Sequence, residues 1–444
     1  MPIEQKKSSL LLILSVVVFA AFIFKLILLI DLNHLPLLGD DYLYWRRSLD
    51  IFQNYFGQLD LQAPLYPVFL AINRLIFHNR ALLLVKIEQL ILHSVEIYLI
   101  YILAARFFSK KTAVIAGVIA SVYPELFSYS YLLFSETFYL FFMLISMILY
   151  FSALDREKPR GLLLMAGAGF INGIACLTRS VNFYFLPLIC LHCWFFSKRS
   201  YGGRLAAILV FCLLTIAPVS IQTMKNYKVE GCFILIDSAA ARNFYRSHNK
   251  SYPMNMDFRG NNTLTVDREP CPEAGACAQT RCETANSMKF IAANPGLFLK
   301  HGLIKTVNLY SPNLIIYKNI FKAEPASFPR AELYQGRWLR AIGSISYLAV
   351  MLLALLGIFA GKEWNFRSYT ILWVFYLTAV CAFFLGASRY RMPFAPLLVI
   401  YAASFLGMGK KDFSEVKSWK IFAAIFFWLI LVLVEHRRLL LILS

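Results

Sequence analysis

Two adjacent carboxylates, Asp40 and Asp41, stand in the stretch LLGDDYLYWRRSLDIF, just after the first long apolar run and ahead of Arg46 and Arg47. A carboxylate held at a membrane–water boundary can take the proton of an attacking hydroxyl. A plainer role is also open: Gly39-Asp40-Asp41 suits the start of a surface helix, where acidic side chains cap the end and complement the dipole. The two roles are compatible, and the residues alone do not separate them. A third acid, Glu136 in YSYLLFSETFYLFF, sits just inside the end of an apolar run on the same side. Alone it reads as a hydrogen-bonded residue facing another helix. Because Asp40, Asp41 and Glu136 share a side, they can converge on one outward-facing cavity, which favours the chemical reading.

Cations accompany these acids. Lys86, Gln89, His93 and Glu96 recur at spacings of three, four and three, which puts them on one helix face. A polar stripe in lipid must face protein or water, and for His93 and Glu96 a buried interhelical hydrogen-bond network is the simpler reading. Lys86 lies near the outer surface, where a lipid phosphate would sit. Arg179 in LTRS, and Arg389 and Arg391 in SRYRMPFAP, stand at other outer helix ends. Snorkelling to headgroups explains any one of them, yet arginine is also suited to bidentate phosphate contacts. Displacing a sugar from a phosphate ester needs a base for the incoming hydroxyl and cations for the leaving phosphate. The residues supply that pair of requirements.

The elements that carry them are membrane helices. Of 444 residues, 59% are hydrophobic and only 16% charged, while 16% are aromatic. That composition excludes an ordinary soluble protein and a disordered one. The fold expected is all-α and polytopic, with about 11 crossings: 10–30, 82–104, 112–129, 132–153, 161–178, 182–197, 203–223, 342–361, 368–386, 393–408 and 419–435. The net charge of +19 is spread over short connections between apolar runs and is not gathered on a folded surface, so it marks topology and not a nucleic-acid partner. Alternate connections carry Lys6 and Lys7; Arg106, Lys110 and Lys111; Arg156, Lys158 and Arg160; Lys198, Arg199 and Arg204; Lys362 and Arg367; and Lys410, Lys411 and Lys417. That side is expected to be cytoplasmic. The first run stays apolar through Ile30, longer than a signal peptide's core, and reads as an anchor.

Three regions follow: a seven-helix transmembrane module over 1–223, whose first outer loop is 31–81; an outer loop domain over 224–341; and a C-terminal transmembrane module over 342–444. The loop domain holds Cys232, Cys271, Cys277 and Cys282, which allow three disulfide pairings that sequence does not rank. Two bridges suit an oxidising outer compartment. A zinc site is the weaker rival, because no close C-x-x-C pair occurs there. The remaining cysteines lie in apolar helices and read as small packing residues. Residues 288–316 read as an interfacial amphipathic helix pair.

Taken together, these segments resemble the polytopic GT-C-type glycosyltransferases, in particular bacterial relatives of the dolichyl-phosphate-mannose protein mannosyltransferases and the lipid A aminoarabinose transferase. Asp40-Asp41-Tyr42-Leu43-Tyr44 is similar to that group's D-[DE]-x-x-Y motif of the first outer loop. QAPLYPVFLA, SETFYL, GIACLTRS and RYRMPFAP are similar to its later segments, in the same order. The resemblance implies a seven-helix module with two juxtamembrane helices, a polyprenyl-phosphate-linked sugar donor and inverting transfer at the outer face. It implies Asp40 as catalytic base, Asp41 and Glu136 as residues positioning donor or acceptor, and Lys86 and Arg389 on the lipid phosphate. Arg179 and Arg391 join them as candidate phosphate ligands, and Tyr42, Tyr44 and Tyr66 as candidate substrate-lining residues. It points to a bacterial inner membrane with the site facing the periplasm. No cofactor or metal site is called for by the residues, and the use of a divalent metal is left open. The run Tyr42, Tyr44 and Trp45 and the cysteine-bearing insert at 232–282 have no counterpart in a named member, which leaves the acceptor open among lipid, glycan and protein.

Two other classes compete. A lipid or sugar-lipid transporter would use the polar stripe as a path, but transporters often show two related halves and this chain shows none. A polyprenyl-linked glycan ligase or polymerase would bind the same carrier and transfer a preassembled glycan. The D-D-x-x-Y motif favours transfer of a single sugar.

Overall fold

In hydrocarbon the backbone of a long apolar segment finds no partner except itself, so helices are required. The computed structural model describes residues 2–54, 62–156, 159–248, 271, 275–314, 316–323 and 334–443, and among them the regular structure is entirely helical. Lys158 and the polar stretch 251–270 lie outside the described residues.

In chain order the helices are α1 (Pro2–Leu32), α2 (Asp40–Asn54), α3 (Leu65–Phe77), α4 (Ala81–Phe107), α5 (Lys110–Val122), α6 (Pro124–Phe127), α7 (Ser135–Leu154), α8 (Arg160–Thr178) and α9 (Leu186–Phe196). There follow α10 (Tyr201–Glu230), α11 (Ala239–Ser247), α12 (Ala276–Ala293), α13 (Pro295–Leu309) and α14 (Ile316–Lys322). The last are α15 (Arg337–Ala360), α16 (Trp364–Phe383), α17 (Ala395–Leu406), α18 (Lys410–Ser414) and α19 (Ser418–Leu443).

Each of the 11 expected segments is helical, but fewer qualify as crossings. Among the described residues, 7 helices are long and apolar enough to span, or 8 if the bent pair Lys110–Val122 and Pro124–Tyr131 counts as one. That pair bends by 56°, because Pro124 cannot continue the hydrogen-bond ladder of α5. Ser180–Phe196, Ala395–Leu406 and Ser418–Val434 are apolar but shorter than a full crossing. The expected pair over 288–316 becomes α12 and α13, which meet at Asn294.

Two glycines let helices approach closely. A Cβ at Gly169 would collide with the backbone of Phe211, and one at Gly173 with Thr215 and Pro218, so α8 and α10 pack backbone to backbone. An aromatic seam joins the last helices to the first module: Phe185 stacks on Trp373 at 3.8 Å between centroids, and Phe107 on Phe366 at 4.6 Å.

The ends of the bundle differ in chemistry. At one end Asp155 binds Arg106 at 2.6 Å and Lys198 at 3.0 Å, so the connections after α4, α7 and α9 meet there. These are cations that the sequence assigns to one side. At the other end lie the starts of α2 and α7, the end of α8 and the turn before α17, which carry the acids and arginines of interest. Beside them α10 ends at Gly231, whose φ of +69° suits a residue without Cβ. Cys232 is bonded to Cys277 and Cys271 to Cys282, with Cα–Cα distances of 6.5 and 5.7 Å. One of the three possible pairings is thereby selected, and both bridges hold α12.

Candidate active site

Gly39, at φ +62°, turns the chain into α2, and Asp40 and Asp41 occupy the first turn. The capping role and a chemical role are thus both available. Neighbouring residues on a helix point about 100° apart, and that difference separates the two acids. Asp40 remains 29% exposed, whereas Asp41 is 1% exposed and points into the protein.

Asp40 Oδ2 accepts from Arg389 Nη1 at 2.5 Å. Arg389 comes from the tight turn Ser388–Arg391 that precedes α17, and its guanidinium lies over the rings of Phe134 (5.5 Å) and Tyr390 (5.2 Å). Burial disfavours charge on Arg389, but the Asp40 carboxylate, with Tyr390 and Glu136 beside it, more than offsets burial and holds the guanidinium protonated well above its ordinary range.

Asp41 faces inward onto Asn319 of α14, whose Nδ2 donates to Oδ2 at 2.6 Å. Burial pushes the Asp41 carboxyl up to about 7; the Asn319 bond and the charge of Lys86 work in the opposite direction. Lys86 is itself buried, donating to the backbone carbonyls of Asn33 at 3.1 Å and Leu32 at 3.5 Å. The sequence places it at the lipid surface; the structure places it beneath the junction of α1 and α2.

Glu136 and Arg179 form an ion pair at 2.6 Å, joining the start of α7 to the end of α8. Arg179 also lies 5.9 Å from the ring centre of Tyr390, which brings it beside Arg389. Tyr44 is one helical turn after Asp40, and its hydroxyl lies 3.3 Å from Ser135 Oγ. Burial, and then the Asp40 charge, keep that phenol protonated well above its usual range. Asp40, Asp41, Tyr44, Lys86, Glu136, Arg179 and Arg389 are therefore brought together from five separate segments.

Three expected residues are placed otherwise. Arg391 is 1% exposed and is committed to Glu125, with Nε on Oε1 at 2.5 Å and Nη2 on Oε2 at 2.7 Å, while Nη1 donates to the carbonyls of Leu309 and Ser311. This buried fork is a structural clamp, with four of the five guanidinium N–H donors committed to protein acceptors. Tyr66 is fully buried and spends its hydroxyl on Gln89 Oε1 at 2.7 Å, so it supports the site from below and does not line it. Gln89 passes the contact on to the carbonyls of Leu132 and Ser130, just ahead of Glu136. Tyr42 is half-exposed on the outer face of α2, with no part in this cluster's contacts. His93 and Glu96 pair at 3.2 Å in the buried network that their spacing suggests.

Sequence reasoning missed Glu125, Asn319 and Arg246. Glu125 could have been found by the rule that singled out Glu136, since it too is an acid inside an apolar run. Arg246 of α11 interacts electrostatically with Asp40, and its neighbour Arg242 lies 4.0 Å from Glu283 of α12. Nothing around Arg246 or Asn319 in sequence marks either residue. Among the described residues, no group of three His, Cys, Asp or Glu side chains could hold a metal ion.

Residues 61–222 match the sequence profile of the dolichyl-phosphate-mannose-protein mannosyltransferase family. The whole helical arrangement is similar to solved structures of the oligosaccharyltransferase AglB from Archaeoglobus fulgidus. The apo form has a TM-score of 0.53 at 14% identity, covering 94% of this chain and 54% of that one. The form with an inhibitory peptide and a dolichol-phosphate has a TM-score of 0.54 at 13% identity, covering 95% and 54%. The form tethered to an acceptor peptide containing the NVT sequon has a TM-score of 0.55 at 15% identity, covering 95% and 53%.

The fold is GT-C.

This chain spans about half the length of the structures it matches, and no curated protein matches it by sequence. Within the GT-C fold the cluster built from α2, α4, α7, α8 and the turn before α17 falls partly inside the matched profile, through Lys86, Glu136 and Arg179, and partly outside it, through Asp40, Asp41 and Arg389.

Proposed function

We propose that the protein is a membrane glycosyltransferase of GT-C type that moves a sugar from a polyprenyl-phosphate carrier to an acceptor hydroxyl, with Asp40 as general base. The observation that carries the reading is the pair Asp40–Arg389: a partly exposed carboxylate held against a cation that can exchange it for a phosphate. The profile match and the dolichol-phosphate bound by one AglB structure support a polyprenyl-phosphate donor.

In this mechanism a donor phosphate draws the Arg389 guanidinium to itself, since a phosphate offers arginine a bidentate acceptor at higher charge. Asp40 is released to accept the proton of the acceptor hydroxyl. The oxygen attacks the anomeric carbon from the face opposite the phosphate, the glycosidic C–O bond to phosphate breaks, and configuration inverts. The polyprenyl phosphate leaves as an anion stabilised by Arg389, with Lys86 supplying positive potential from beneath. Glu136 and Arg179 form the neighbouring wall and position the substrates.

The site end is proposed to face the periplasm from a bacterial inner membrane. Two features support it: the basic connections gather at the opposite end, and the two disulfides lie beside the site, as an oxidising compartment would allow. The acceptor is a lipid, glycan or protein hydroxyl.

A second reading has its own support. The matched structures are oligosaccharyltransferases, which favours a larger glycan on the carrier. Purified protein in nanodiscs, offered labelled polyprenyl-phosphate monosaccharides and polyprenyl-linked oligosaccharides with envelope lipid and glycan, distinguishes the two. Transfer from a monosaccharide carrier supports the first reading and transfer only from the oligosaccharide the second. Saturable carrier binding without any transfer would leave a transporter in place of both.

A further inference from the structure

Asn319 reaches the catalytic helix from 278 positions away in sequence. Both it and Asp41 are buried at 1% exposure, and their bond is 2.6 Å long. Asn319 presents its amide nitrogen because a carboxylate only accepts. The segment that carries it is secured independently. Tyr317 donates to the Leu339 carbonyl at 2.6 Å, Gln335 to the carbonyls of Ile320 (3.0 Å) and Ala323 (2.9 Å), and Tyr334 to Asp31 Oδ2 at 2.9 Å. With three of these bonds made by the 316–323 segment and the fourth tying its partner strip at Tyr334 to the end of α1, Asn319 is not the sole contact that docks α14.

Its chemical effect is on Asp41. The ionisable groups around that carboxyl are Asp40 on its own helix, Lys86 from α4, Glu136 from α7 and Tyr66 from α3. The Tyr66 hydroxyl is spent on Gln89, and Asp40 and Glu136 oppose a charge on Asp41. Oδ1 of Asp41 has no hydrogen-bond partner among the described residues. Among the described residues Asn319 and Lys86 are thus the two groups that favour the charged form, and Asn319 alone donates a hydrogen bond to it.

We infer that Asn319 is a positioning residue for this site: its amide fixes the Asp41 carboxyl in place and favours its ionised form, setting a negative charge near Lys86 beneath the place where the donor phosphate binds. The role of Lys86 in this statement rests on the transferase reading; the effect of Asn319 on Asp41 does not.

The test is a pH titration of the full-length protein in nanodiscs by infrared difference spectroscopy, reading the protonated-carboxyl band of Asp41, with Asp41→Asn identifying the band. Losing a hydrogen bond made to the charged form raises the pH at which a carboxyl ionises. Asn319→Leu is expected to raise the Asp41 midpoint by about one unit, a tenfold change in proton affinity, and Asn319→Gln, which keeps an amide donor, by less than half of that. Should the leucine variant not fold, Asn319→Ala carries the same expectation. A midpoint unmoved in the folded variants overturns the inference. Where transfer is measurable, the acid limb of the donor kcat/KM profile moves by the same interval. If no donor supports transfer, the spectroscopic shift still decides the role of Asn319. Transfer with an unmoved midpoint removes that role and leaves the transferase reading standing.

Discussion

Arg389 Nη1 lies 2.5 Å from Asp40 Oδ2, a contact between residues 349 positions apart. It fastens the turn before α17 to the first turn of α2 and sets a guanidinium charge against the partly exposed carboxylate. On the proposed transferase reading, a base held this way is masked until something more anionic claims its arginine. On that reading the contact would link donor binding to activation of the acceptor and give the C-terminal helices a direct part in the chemistry.

If Arg389 exchanges Asp40 for the donor phosphate, removing it must damage donor use first. Arg389→Ala is expected to lower kcat/KM for the donor by about 10²–10³-fold, the usual cost of losing one preorganised charge-stabilising donor. Arg389→Lys should recover only part of this, because an ammonium does not reproduce the planar fork. Initial-rate kinetics with the donor varied at saturating acceptor measure it. A donor kcat/KM within twofold of the unmodified value would remove Arg389 from the phosphate site.

Asp41 should leave a signature in stability as well as in rate. Burial raises its carboxyl from an ordinary 3.8 to about 7 in the folded protein. The folded state then holds the proton more tightly than the unfolded one, so this group's contribution is fully present below about 4 and lost as pH rises through about 7. Asp41→Asn removes the titration. The variant's thermal midpoint relative to the unmodified protein should therefore be higher at pH 7.5 than at pH 5, by the equivalent of up to about 3 kcal/mol for two pH units. Thermal unfolding in detergent at the two pH values reads the difference, and an equal offset at both would mean that Asp41 does not titrate in this window.

Arg391 and Glu125 are a stability pair by the same geometry that excludes them from phosphate binding. Breaking a buried, hydrogen-bonded ion pair from one side strands the other charge, at about 3–5 kcal/mol. Glu125→Ala and Arg391→Ala should each lower stability by that order, while the double substitution costs less than the sum. A double-mutant cycle on unfolding gives the coupling, and additive effects would show that the two side chains do not act as a pair.

The loop cysteines offer a direct chemical check. Peptide mapping without reduction should recover 232–277 and 271–282 as the linked pairs. Both bridges hold α12, whose Glu283 faces Arg242 of α11, so loss of the bridges should loosen α11 near Asp40. Hydrogen exchange over 239–247 is expected to rise on reduction. Free thiols at all four positions, or the crossed pairing, would contradict this arrangement.

How far these features could be read from sequence depends on their physical origin. The helices were legible because apolar length is a direct consequence of bilayer thickness. The number of full crossings was not, because Pro124 bends one segment and three others stop short, and hydrophobicity alone does not fix where a helix ends. Asp40, Asp41, Glu136 and Arg179 were legible because a charge beside lipid demands a reason. The same rule applied to Arg391 misleads, since its reason is Glu125, an acid the rule should also have flagged. Lys86 was placed at the membrane surface from its position along α4, but side-chain direction depends on the neighbours, and the end of α1 covers it. Asn319 carries no signal at all, because an asparagine in the polar outer segment between the two membrane modules is ordinary and its partner lies 278 residues away.

The central claim is that Asp40 takes the acceptor proton, and the most direct measurement is single-turnover transfer by Asp40→Asn beside the unmodified protein. Both are loaded in nanodiscs with the same labelled polyprenyl-phosphate sugar, and donor binding is measured on the same samples. The account predicts that Asp40→Asn folds and binds donor as tightly as the unmodified protein, or more tightly because Arg389 is freed, while the transfer step slows by at least about 10³-fold. A transfer rate within tenfold of the unmodified enzyme, with donor binding intact, would contradict the assignment of Asp40 as the base.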